Sequence, residues 1–338
     1  MDQMVEDPDV LFQEVHTHLE KVKDVPSTTL DEELLRRASR NFDSHTPRTT
    51  LWQILRIGEQ TLQSLQQDPR PLTRLLEQVV RSLPFDELKE TITSDKLENG
   101  LRSPAIAIQL LILAYLRKAA DLPSGAAFVA CHASLTALLI TTWLASESTE
   151  VADRSLEVIV ALLEVDSPAA TTFVVGASRS GEAQGQGLLW RRLFSDPETY
   201  ALLFQWTALT ASKHDLDTKK GMQQATISQG RLFDFIARIA QIEWTHITTS
   251  SLPDVERQYI RGDTSAQPYG GILRYAVTDM VDPNDYLMEI LTRDLLVRLL
   301  GVAEETNNRG VSPRMLEAIQ SGAGIDAGNT NNSNGLHL

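Results

Sequence analysis

Two neighbouring stretches of this chain carry no charged side chain at all: Ser103–Leu116 and Leu122–Ser146. A third, Val151–Val165, is apolar over most of a helical circumference. A helix of that kind cannot sit on a surface with one face wet. It needs neighbours on several sides, as in the interior of a stack. Leu122–Ser146 is also long enough to cross a bilayer. It contains His132, Ser134, Thr136, Thr141 and Thr142, with a proline and a glycine near its start, and its flanking apolar stretches are too short to span. The expectation is therefore a buried helix and no membrane.

The rest of the chain repeats the same theme. Apolar residues recur at three- and four-residue steps in Val10–Val22, Leu51–Leu65, Leu72–Leu83, Ile106–Leu116, Phe128–Leu144, Val151–Val165, Leu188–Phe194, Tyr200–Leu209, Leu232–Ile242 and Leu287–Val302. Asp68-Pro69, Ser103-Pro104, Asp196-Pro197 and Asp282-Pro283 each place a capping side chain beside a proline suited to a first turn. No convincing run alternates in the manner of a strand, although Thr171–Val175 could be extended. Helices of about 12–20 residues, separated by short polar breaks, give one helix pair every ~40 residues, the period of HEAT and armadillo arrays. One pair cannot bury its own apolar face, so neighbours must stack. The predicted fold is all-α, a HEAT/armadillo-like α-solenoid superhelix over residues 8–320. Residues 167–186, rich in Ser, Gly, Ala and Thr, are expected to form a flexible loop between repeats. Residues 321–338 (SGAGIDAGNTNNSNGLHL) are too polar to order themselves and are expected to be a disordered tail.

Charge narrows the partners. Lys plus Arg is 31 against 45 Asp plus Glu, a net charge of −14. A protein that grips phosphates normally shows a basic surface, so direct nucleic-acid contact is not expected. The single cysteine, Cys131, allows neither an intramolecular disulfide nor a thiolate cluster. With the acidic start Asp2, Glu6 and Asp7, which suits no secretory or mitochondrial leader, this points to a cytoplasmic, and also nuclear, location.

Candidate chemistry is sparse. Gly176–Gly181 resembles a nucleophile elbow, but Ser180 stands where glycine is required. Gly185-Gln186-Gly187 lacks the remaining residues of a phosphate or dinucleotide loop and reads as a helix entry. His16 and His18 point to different sides of a helix; His16 with Glu20 is better spaced but makes only two ligands. Asp282-Pro283-Asn284-Asp285 begins like a calcium loop but has Leu287 at the sixth position in place of glycine. His132 reads as a satisfied buried histidine. No catalytic residue, metal site or cofactor is expected. Two features remain as protein-binding candidates. Glu150, Arg154, Glu157 and Glu164 fall on one stripe of a helix and form either a partner surface or a solvated face. In Gly187–Asp196, Trp190 and Phe194 share the face that anchors the helix. Arg191 and Arg192 then project elsewhere, to brace acidic neighbours or to hold a partner, with bracing preferred.

The segment Ala152–Val158 through Leu162-Leu163-Glu164, followed by Gly187-Leu188-Leu189-Trp190-Arg191-Arg192-Leu193-Phe194 and Asp196–Tyr200, resembles the fungal DNA mismatch repair "high spontaneous mutagenesis" family. That family is similar to an animal non-ATPase subunit of the proteasome regulatory particle. The resemblance extends over residues 10–305, and its most specific part is the Trp-Arg-Arg-Leu-Phe block. It implies a chaperone for assembly of the proteasome base. Such a chaperone binds the C-terminal domain of an AAA+ ATPase subunit, as a monomer when free, and leaves before the proteasome is mature. The alternatives are a mismatch repair accessory protein and an unrelated armadillo-type scaffold or adaptor. An enzyme is the least expected outcome.

Overall fold

Burial at every position of a helix demands partners on both sides, and the computed structural model supplies them. It describes residues 8–42, 45–168, 184–261 and 268–325. The first ten helices are α1 (Pro8–Asp24), α2 (Glu32–Asn41), α3 (Arg48–Ser64), α4 (Arg70–Ser82), α5 (Phe85–Lys89), α6 (Ser94–Leu101), α7 (Ile106–Ala119), α8 (Pro123–Cys131), α9 (Ala133–Ala145) and α10 (Thr149–Asp166). After the described chain resumes come α11 (Leu188–Ser195), α12 (Pro197–Gln205), α13 (Lys219–Ala240), α14 (Thr245–Thr248), α15 (Pro253–Glu256) and α16 (Gly271–Arg274). A π-helical turn, Tyr275–Asp279, leads towards α17 (Tyr286–Glu305) and α18 (Pro313–Ala323). Among the described residues every regular element is helical.

The helices form two layers. In one, α2, α4, α7, α10, α13 and α17 follow each other side by side. The other holds α1 against α3, then α6 against α9 against α12. The pairs α1/α2, α3/α4, α6/α7 and α9/α10 connect the layers. This is an all-α, solenoid-like stack. The reason is visible in α7, where Leu111 through Leu116 are buried without interruption between α4 and α10. Each such side chain contributes roughly 1.5–3 kcal/mol when taken fully out of water. More amphipathic helices sit at the sides: α4 buries Leu72, Leu75, Leu76, Val79 and Val80 at helical spacing. Gly58 lets α3 approach α4 closely, because a Cβ there would lie 2.5 Å from Leu76 Cδ2.

Several expectations are corrected. The charge-free run Leu122–Ser146 is not one helix. It breaks at His132, and α8 and α9 meet at a 96° bend. Local polar groups stabilise the break. His132 N–H donates to Val129 O (3.1 Å), Thr136 Oγ1 donates to the same carbonyl (2.9 Å), and His132 Nδ1 lies 2.7 Å from Phe128 O. His132 is satisfied but half-buried rather than buried. Among the described residues no single helix is long and apolar enough to cross a membrane.

Two expected helix starts also move. At Ser103-Pro104 the helix begins only at Ile106, with Ser103 Oγ accepting from Ala105 N (3.2 Å). Asp282 closes a turn with Asn284, and Asp285 takes the cap by accepting from Leu287 N (3.0 Å). Asp196 caps α12 as expected, with Pro197 in its first turn. The C-terminal boundary shifts as well. α18 continues through Ala323, which is buried, and ends on Gly324 in the left-handed conformation (φ 72°). So Ser321–Ala323 belong to the last helix and Gly324 caps it, and the expected tail from 326 onwards lies outside the described residues. Most of the expected loop at 167–186, including Thr171–Val175 and Gly176–Gly181, also lies outside them. The second half departs from a regular period, since α14, α15 and α16 have four residues each.

Candidate protein-binding surface

The strongest candidate surface begins with a helix cap. Ser148 Oγ accepts from Val151 N (3.4 Å) and starts α10. Val151, Ala152, Ser155, Leu156, Val158, Ile159, Leu162 and Leu163 are buried against α7, α8, α9 and α11. Locking that face fixes the direction of the opposite one. Glu150, Glu157 and Glu164 are exposed along it, as the spacing predicted, and Arg154 lies half-buried among them. Arg154 Nε sits 3.6 Å from Glu157 Oε2. The row extends sideways to α4. Glu77 feels both Arg154 and Glu150, and partial burial raises its carboxyl above the usual range against the pull of Arg81 at 3.4 Å. The surface is thus a rigid acidic row with one internal cation. Loss of solvent around Glu77 shows that the row backs onto packed structure rather than standing free.

The other candidates separate. Trp190 and Phe194 are buried on one face of α11, their rings stacked at 5.8 Å. Trp190 Nε1 donates to Leu163 O (2.9 Å). Arg192 braces: its Nε donates to Ala130 O (3.1 Å) and its Nη1 to Asp196 Oδ2 (2.8 Å). Arg191 is exposed and, with Cys131 and Ser195, lines a shallow groove of about 370 Å³. The structure does not bring the two arginines to one contact point on the acidic row. His16 and Glu20 pair at 3.6 Å. Residues 185–187 enter α11, with Gly187 in the left-handed conformation (φ 65°).

Sequence reasoning missed the residue that organises this junction. Asp166 is fully buried at the end of α10. Its carboxylate accepts from Gln186 N (3.2 Å) and Leu189 N (2.7 Å), and its carbonyl accepts from Gly187 N (3.0 Å). A carboxylate at a helix N-terminus satisfies free N–H groups and complements the dipole. The only signal was an acidic residue closing an apolar helix, followed much later by a glycine-flanked helix start. No family model matches this chain, and no curated protein matches it.

Proposed function

We propose that the chain is a non-catalytic helical-stack protein that binds another protein through the layer that contains α10. We further propose that its partner is an AAA+ ATPase subunit, gripped through its C-terminal domain during assembly of the proteasome base. The observation that carries the reading is the α10 row. Three carboxylates stand exposed on a helix whose opposite face is locked into the core. A fixed acidic row on a stacked scaffold suits a partner with complementary basic groups. The identity of the partner rests on the resemblance of the Trp190–Phe194 block and its surroundings. Those residues are mostly core, so they support kinship of the stack rather than a contact surface.

The test is affinity capture of the tagged full chain from cells. Base ATPases without mature proteasome are the expected catch. Recovery of mature proteasome alone, or of no ATPase, overturns the chaperone reading. A Glu157→Arg/Glu164→Arg variant should fold normally and lose about tenfold or more of its capture, since like charges facing a basic partner cost several kcal/mol. Unchanged capture by this variant removes the α10 row from the interface.

A further inference from the structure

Ten large apolar side chains remain exposed among the described residues. Six of them, Met222, Ile227, Tyr286, Leu287, Ile290 and Val297, lie on just two helices, α13 and α17, which pack together. These helices run parallel. Arg298 Nη2 donates to Asp234 Oδ1 (2.7 Å), and Gly310 beyond α17 lies against Trp244 beyond α13. Met222 and Ile227 thus lie alongside the start of α17, where Tyr286, Leu287 and Ile290 are exposed, and Val297 continues the same face of α17 two turns further on. Tyr286 is 73% exposed and Leu287 56%, unlike the scattered single apolar residues of an ordinary surface.

The rim says what covers it. Glu289 and Arg293 lie one turn apart on the same edge of α17, both exposed, joined at 3.1 Å. When a helix packs against an antiparallel copy of itself, equivalent edges face each other across the two-fold axis. An axis crossing α17 near Ile290 and Leu291 then brings each Glu289 to the partner's Arg293, twice. A two-fold interface must be self-complementary, and this edge is. Gly301, with open space around its Cα, allows close approach towards the C-terminal end of the stripe. Asp294 is the charged side chain inside the stripe and weakens the contact.

We propose that a second copy of this chain docks on the α13/α17 patch, forming a two-fold dimer with α17 antiparallel to α17 of its partner. This replaces the free monomer expected from the sequence. It is independent of the α10 row and of the partner assigned to it.

The test uses the full chain and light scattering after gel filtration, over a range of concentrations. The wild type should reach twice the monomer mass at concentrations on the order of 10 μM. Leu287→Asp/Ile290→Asp should be monomeric with unchanged helical content, because both side chains are exposed. The decisive arm is charge reversal. Glu289→Arg alone and Arg293→Glu alone should each be monomeric, while an equimolar mixture of the two should dimerise. Only contact between chains can produce that rescue, since the pair within each chain stays broken. Asp294→Leu should tighten the dimer. A wild type that stays monomeric over this range overturns the proposal. So does a dimer indifferent to Leu287→Asp/Ile290→Asp, or a mixture that fails to associate. A monomer whose patch is instead covered by a different protein in cells overturns it as well.

Discussion

The first ten helices and the last eight solve the same burial problem with different means. In α1–α10 several buried polar side chains bond within their own helix. Thr73 donates to Arg70 O and Ser155 to Val151 O, while Thr61 donates to Ile57 O and also reaches Leu19 O on α1. Apolar contact does most of the holding there, with a few bonds between helices added, such as Tyr115 to Glu59 and Ser134 to Glu98. From α11 onwards buried polar groups reach far along the chain. Arg231 Nη1 donates to the last carbonyls of α9, Trp143 O (3.2 Å) and Leu144 O (2.8 Å). Gln229 Nε2 bridges Thr207 O (2.9 Å) and Met280 O (2.7 Å). Tyr200 donates to the buried Glu256 (2.7 Å), and burial raises its phenol well above the usual range. The long helix α13 supplies most of these bonds, and they go to carbonyls at the ends of neighbouring elements, which have no partner within their own helix: Leu144 in the last turn of α9, Thr207 after α12 and Met280 after the π-helical turn.

That contrast makes graded predictions. The largest effect belongs to Trp190→Ala at the seam between the two regions. It removes a buried indole stacked on Phe194, together with its bond to Leu163 O. The loss should be about 3–5 kcal/mol, read as a shift in the urea midpoint. A loss under about 1 kcal/mol would mean that the seam carries little of the stability. Next comes Asp166→Ala. It strands the buried N–H of Leu189, for about 1–3 kcal/mol, and frees the more exposed N–H of Gln186 to water.

Gln229→Leu sharpens the comparison. It keeps the volume but unties Thr207 and Met280, for about 1–3 kcal/mol. Hydrogen exchange should accelerate around 207–209 and 275–300, with α3, α4 and α7 still protected. Uniform acceleration over the whole stack would erase the distinction between the regions. The N-terminal counterpart, Ser155→Ala, should cost less than about 1 kcal/mol, because the carbonyl it contacts is already within a helix.

The same contrast marks what could be read in advance. The α4, α7 and α10 cores were legible because burial there follows local spacing: Leu72, Leu75, Leu76 and Val79 announce their own face. The α10 row and the Trp190/Phe194 anchor were legible for the same reason. The break at His132 was not, since it depends on which carbonyl Thr136 prefers inside an apolar run. Asp166, Gln229 and Arg231 were not either. Their partners lie 20 to 88 positions away, and no periodicity encodes such a pairing. Charge pattern alone also could not tell Arg192, which braces, from Arg191, which faces solvent; the difference is the position of Ala130 O and Asp196.

The smallest predicted effect concerns acid. Burial lowers the pKa of His214 and His246 in the second region and of His18 in the first. His246 lies against both the Trp190 and Phe194 rings (4.8 and 5.3 Å), with Glu243 nearby pulling weakly the other way. A histidine whose folded pKa lies below its unfolded value binds fewer protons when folded. Unfolding then takes up protons, and stability falls as pH drops below about 6.5. The loss is complete once pH passes below the folded pKa. With two such groups against one, the α11–α18 region should loosen first between pH 7 and 5, seen as earlier hydrogen exchange in α11 and α14 than in α1–α4. His246→Phe keeps the ring packing and removes the proton site, so it should flatten part of this dependence. If the variant loses stability with acid as steeply as the wild type, His246 is not the group that senses it.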